Sequence, residues 1–142
     1  MTLLRRVPAM VEEVWQAWTD PIELMHWWAG IGGTVLMARC DPRRGGSFAI
    51  TSRNVRGNMH EEWGVFTDAI VGEVLEFAWC HDQPGAGEHV TVQFRRTSDA
   101  LCELTLVHFG LPDQAAAIGA RARWDTALDS LVSSLNRPSL RS

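Results

Sequence analysis

The sequence predicts an α+β fold, a curved antiparallel sheet of about six to seven strands wrapped around one long C-terminal helix, with two short helices after the first strand. Three observations carry this. From Asp113 to Asn136, the residues Ala117, Trp124, Leu128, Leu131, Val132 and Leu135 recur at helical spacing, opposite Thr126, Asp129, Ser130, Ser133 and Ser134. Between Thr34 and His108 the apolar residues alternate instead, as they do in antiparallel sheets with one wet face. The connections between those strands are as short as hairpins require. The helix, ~35 Å long at about 1.5 Å per residue, is the only element large enough to cover the apolar face of the sheet.

Leu3 to Val7 reads as a short strand. Pro8 suits a first helical turn, and Met10, Val14, Ala17 and Trp18 share one face of a helix ending near Thr19. Asp20-Pro21-Ile22-Glu23 has the form of a capping box and starts a second helix reaching about Trp28. Gly30, Gly32 and Gly33 stop it; they do not form GxGxxG, and no helix follows, which excludes a dinucleotide loop. Strands follow at Thr34 to Arg39, Ser47 to Arg53, Met59 to Ile70 with a bulge expected at Gly64, and Glu73 to Trp79. Turns separate them at 41–46, 55–58 and Gly72. His81 to Gly87, containing Pro84, is a polar loop. Val90, Val92 and Phe94 pair through a turn at Ser98-Asp99 with Cys102, Leu104, Leu106 and His108. Pro138 is the expected stop of the final helix.

The chain of 142 residues is expected to form one domain, 1–142, with no repeat and no linker. A net charge of -4, a pI near 5.7 and the lack of a basic stripe argue against nucleic acid as a partner. No apolar run reaches the ~20 residues that span a bilayer, and no secretory h-region follows Arg5 and Arg6. Cys40, Cys80 and Cys102 are odd in number and form no CxxC, so reduced thiols in a cytoplasm are expected. All 13 basic residues are Arg, a bias that GC-rich bacterial genomes produce. Seven Trp residues would each hide ~150–250 Å², about 4–6 kcal/mol of apolar burial, so core is the first expectation for any one of them.

Val14-Trp15-Gln16-Ala17-Trp18-Thr19-Asp20-Pro21, Trp27-Trp28, Arg44-Gly45-Gly46-Ser47-Phe48, His108-Phe109-Gly110-Leu111-Pro112 and the Trp124 to Leu135 pattern of Trp-x3-Leu-x2-Leu-x3-Leu stand in one order along the chain. In that order the sequence resembles the family named for the activator of the heat-shock-protein-90 ATPase, within the START-like or polyketide cyclase superfamily. The resemblance implies a helix-grip fold with a cavity between sheet and helix. It also suggests a chaperone partner and a link to stress. Two departures stand out. The position before Trp124, often Gly in that family, is Arg123, and the separate chaperone-contacting domain of the eukaryotic activator has no room here.

The residues favour binding over catalysis. His60-Glu61-Glu62-Trp63-Gly64 fails the HExxH test, and the other histidines lack ligand spacing, so neither a metal nor a cofactor is expected. Gly45-Gly46-Ser47-Phe48-Ala49 is not a nucleophile elbow. Cys102 is expected to be a buried inert thiol and Cys80 the more exposed one. His60 and Glu62 share a strand face, read as a solvated edge or as an acid-base pair. Arg121 interrupts the helix stripe; it either snorkels to water or stands at the mouth of a cavity and meets an acidic ligand group. His108 is either a core histidine bonded to a backbone carbonyl or part of the cavity wall.

A small hydrophobic or aromatic ligand would then touch Trp27, Trp28, Phe48, Trp63, Phe77, Trp79, Phe94, His108, Arg121 and Trp124. A chaperone-associated protein, the second reading, needs an exposed apolar patch, for instance at Trp27-Trp28. An enzyme of the cyclase or aromatase kind, the third, needs His60 with Glu62, or His108, inside the cavity. Free sheet edges also make a homodimer an expectation.

Overall fold

In the computed structural model, which describes residues 1–81 and 87–136, the chain runs β1 (Thr2–Val7), α1 (Val11–Thr19), α2 (Pro21–Leu24), β2 (Thr34–Cys40), β3 (Ser47–Arg53), β4 (Met59–Ile70), β5 (Val74–His81), β6 (His89–Ser98), β7 (Leu101–Phe109) and α3 (Gln114–Leu135). All seven strands form one antiparallel sheet in the order β1-β7-β6-β5-β4-β3-β2. Strands β2 to β7 form a meander, and β1 returns beside β7 so that the α1–α2 segment and α3 share one face of the sheet. This is a helix-grip arrangement. The polar loop read around Pro84 and the stop at Pro138 lie outside the described residues.

Local chemistry explains the elements. Asp20 ends α1, its N–H donating to Gln16 O at 2.9 Å, and starts α2, its Oδ1 accepting from Ile22 N at 2.9 Å. Because that N–H is already used, the capping box is half formed; α2 closes at Leu24 rather than near Trp28 because His26 N and Trp27 N bond three residues back, to Glu23 O at 3.0 Å and Leu24 O at 3.4 Å. Pro8 lies outside α1, whose N-cap is Met10; the Met10 N–H donates to Glu13 at 3.2 Å. Trp15 joins the buried face, while Met10 is exposed. Asp113 caps α3, accepting from Ala116 N at 2.8 Å.

The bulge of β4 falls between Phe66 and Asp68, not at Gly64. Gly64 is in regular register, opposite Phe48 and Trp79, on the inner face. A Cβ there would stand 2.0 Å from Ala78 O and 2.7 Å from Phe48 Cε1. The glycine is there because the Phe48 ring closes over its backbone.

The inner face carries Phe48, Ile50, Phe66, Leu75, Phe77, Trp79, Val90, Val92, Phe94, Leu104 and Leu106, all buried. Against it, α3 presents Trp124, Ala127, Leu128, Leu131 and Leu135. Ser130 and Ser134, assigned to the wet face by periodicity, are buried too. The first half of α3 buries nothing, Ala117 being only half-buried, so the grip begins at Trp124. Arg5 on β1 ties the helix down through ion pairs to Asp125, at 2.8 Å, and Asp129.

Candidate functional site

Between sheet and helix the space is filled by the protein's own rings. Trp18 packs on Trp27 at 4.8 Å and stacks on Trp124 at 6.0 Å. Trp124 meets Trp28 at 5.7 Å and Trp79 at 5.0 Å. Such pairs each add ~0.5–1.5 kcal/mol beyond their buried area. Among the described residues an apolar cavity of about 20 Å³ lies inside, bordered by Trp18, Leu24, Trp28, Phe48, Phe66 and Phe77. That is room for a single water and not for an organic ligand.

A larger space lies at the mouth of the grip. This cleft, of about 240 Å³, is bounded by Trp28, Ala29, Gly30 and Ile31 after α2, by Ser52, Asn54, Val55 and His60 of the β3–β4 hairpin, and by Arg123, Thr126 and Ala127 of α3. Gly30 allows the close approach of helix and loop: with φ +80°, it would set a Cβ 2.9 Å from Thr126 Cγ2. Asn54 holds the hairpin turn, its Oδ1 accepting from Arg56 N and Asn58 N, each at 3.0 Å. Its Nδ2 therefore donates to His60 Nε2 at 3.3 Å.

Beneath the cleft lies a buried ion pair. Glu62 projects inward from β4, its side chain 0% exposed, and Oε1 accepts from Trp28 Nε1 at 3.0 Å. Arg123 reaches down from α3 to 2.5 Å from Glu62 Oε2, without hydrogen-bond alignment, and its guanidinium carbon lies 5.3 Å from the centre of the Trp79 ring. The position that departs from the family pattern is thus the one that closes the mouth of the grip.

The expected ligand-contacting residues do not share one site. Trp27, Phe48, Phe77, Trp79, Phe94 and Trp124 are core, and only Trp28 borders both the small cavity and the cleft. Trp63, 42% exposed, is on the outer face, because strand alternation sends it opposite to Glu62 and Gly64. Arg121 is exposed, donates to Thr2 O at 3.3 Å, and borders neither the small cavity nor the cleft. His108 is core, bonded to a carboxylate and an indole rather than to a backbone carbonyl: Trp124 Nε1 donates to Nδ1 at 3.1 Å, and Nε2 lies 2.9 Å from Glu88 Oε1.

Other expectations change as well. Trp27 and Trp28 are 1% and 6% exposed, so they form no surface patch. His60 and Glu62 do share the inner side, but they are not paired: His60 is on the cleft wall and Glu62 is sealed under Arg123. The solvated-edge reading of Glu62 is overturned. A signal was present, since Glu62 has the same strand parity as Phe66. The polar wall formed by Ser52, Asn54 and Arg123 had no motif to announce it.

Cys102 is fully buried, and its thiol is pushed up by desolvation. Burial, aided by Asp41 and Asp20, raises the Cys40 thiol to about 12. Among the described residues no group of three or more His, Cys, Asp or Glu is arranged to hold a metal ion, and no helix is long and apolar enough to cross a membrane.

A curled antiparallel sheet closed on a C-terminal helix, with a cleft at one end of the grip, defines a helix-grip protein. Residues 8–136 match the family model described as activator of Hsp90 ATPase homolog 1-like protein, and the chain belongs to that family. Solved structures share the fold over nearly their full length. A protein from Chromobacterium violaceum is 22% identical, covering 97% of this chain and 98% of its own, with a TM-score of 0.83. An AHSA1 protein from Silicibacter pomeroyi is 23% identical over 95% and 96% of the two chains, also at 0.83. An AHSA1-like protein from Aeromonas hydrophila is 24% identical over 94% and 91%, at 0.73. No curated protein matches the sequence.

Proposed function

We propose that this protein binds a small aromatic or apolar molecule in the cleft at the mouth of the grip. The observation that carries the reading is the composition of that cleft: about 240 Å³ with apolar surface from Trp28, Ile31, Val55 and Ala127, and polar groups from Ser52 and His60 on the hairpin and Arg123 on α3. An engineered apolar cavity of ~150 Å³ takes up benzene, so the space suits a one- or two-ring compound. Apolar contact supplies affinity, and the few polar groups fix orientation. The roles expected of Arg121 and His108 pass to Arg123 and His60. Three free thiols, Cys40, Cys80 and Cys102, support a reducing cytoplasm as the place of action.

Calorimetric titration with indole and 2-naphthol tests the reading. Ile31 and Val55 are both largely exposed, so the double variant Ile31→Asp/Val55→Asp keeps the fold while removing the apolar walls. Binding weakened at least tenfold in that variant is the expected result. Equal binding in both proteins would place the compounds elsewhere.

A second reading, a protein partner such as a chaperone, has one favourable observation. Met37, Trp63 and Val65 are exposed together beside a broad recess on the outer face of β2, β3 and β4. Capture of the bacterial chaperone by the wild-type protein and not by Trp63→Ser would support it. Self-association, the homodimer reading, would instead show as concentration-dependent mass.

A further inference from the structure

Arg123 belongs both to the buried ion pair and to the cleft. Of the described side chains that border the cleft, it alone carries a permanent charge. Glu62 is not among them; it lies behind Arg123, fully buried, with one oxygen already accepting from Trp28. Arg123 is 41% exposed, and a guanidinium has five N–H donors. Its contact with Glu62 is close but out of alignment, and among the described residues its remaining donors meet no other acceptor.

From this geometry we infer that the cleft selects small aromatic or apolar molecules bearing a carboxylate, which Arg123 receives in competition with Glu62. The inference rests on the cleft being the binding site. An oxyanion suits the fork of Arg123, and burial of the ring against Trp28 and Ile31 excludes water from the contact. A cationic ligand is disfavoured, because it would meet the guanidinium before it could reach Glu62. The competition has a direct consequence: removing the charge of Glu62 frees Arg123 for the ligand.

The test is titration of phenylacetate and phenylacetamide into wild type, Arg123→Gln, Arg123→Lys and Glu62→Gln, with thermal melts confirming that each variant folds. Wild type should hold the acid about tenfold more tightly than the amide, the ratio expected when a charge-assisted contact replaces a neutral one. Arg123→Gln should bring the two compounds level, and Arg123→Lys should restore part of the preference. Glu62→Gln should tighten the acid several-fold and leave the amide unchanged. Equal binding of acid and amide by wild type overturns the inference and leaves the cleft as a site for neutral rings. Weaker acid binding in Glu62→Gln overturns the competition. If wild type binds neither compound, the cleft reading falls together with the inference.

Discussion

The indole of Trp124 donates to Nδ1 of His108 across 3.1 Å in the buried heart of the grip. An indole N–H can only donate, so Nδ1 is bare and the imidazole proton sits on Nε2, facing Glu88 Oε1 at 2.9 Å. The Met1 ammonium donates to His108 O at 3.2 Å on the same residue. The histidine thus joins α3 to β7, and through Glu88 to the start of β6. Replacing it with leucine removes a partner from two buried polar groups. His108→Leu should lose ~2–4 kcal/mol in urea unfolding. A double-mutant cycle with Glu88→Gln should give a coupling of at least ~1 kcal/mol.

Arg123 and Arg121 are two residues apart on α3, with opposite consequences. Arg123→Ala leaves Glu62 buried without its cation and should cost ~1–3 kcal/mol, less than a fully buried pair because the arginine is partly solvated. Adding Glu62→Gln should recover part of the loss. Arg121→Ala, which loses a hydrogen bond to the Thr2 carbonyl at an exposed position, should change stability by less than ~0.5 kcal/mol and leave ligand affinity unchanged. Chemical denaturation of the three variants beside wild type distinguishes these outcomes.

Two buried tryptophans differ in a single hydrogen bond. Trp27 Nε1 donates to Ala17 O at 2.9 Å, whereas Trp18 Nε1 has no acceptor among the described residues. Trp→Phe removes similar volume at both sites, but only at Trp27 does it break a bond. Trp27→Phe should therefore be the more destabilising by ~1 kcal/mol, read from unfolding midpoints at equal slope.

The Cys40 thiol gives a pH signature. The folded protein keeps its proton up to about 12, while the ordinary value is 9.0. Above the lower value the unfolded chain releases a proton that the folded chain retains, so stability falls as pH rises through this window. Below it the group has no effect. Cys40→Ala should flatten the alkaline limb of a stability-pH curve. At pH 8, iodoacetamide should modify Cys80 before Cys40 or Cys102, as peptide mapping would show.

Much of the fold was legible because strands β3, β4, β6 and β7 each have one dry face. The bounds of β3 and β4 follow from alternation and turn residues alone. Helix α3 follows from its cap at Asp113 and its leucine spacing. The misreadings have physical causes. Ser130 and Ser134 are small enough to be covered where α3 lies close to its neighbours, so polarity misplaces them. Past Leu24 the backbone bonds tighten to three-residue turns, which shortens α2. Trp63, expected in the lining, is sent outward by its strand parity. The candidate site was the least legible part. It is assembled from a loop, a hairpin and a helix that are distant in sequence, and its two charged members look unrelated until β4 and α3 face each other. Arg123 was visible only as a departure from the family pattern.

The most direct measurement is the indole N–H region of a ¹⁵N-labelled sample titrated with 2-naphthol. The Trp28 resonance, whose N–H donates to Glu62 beneath the cleft, should move with saturating dependence, while those of Trp15 and Trp18 stay in place. A fixed Trp28 resonance, or shifts spread over the interior tryptophans, would contradict binding at the mouth of the grip.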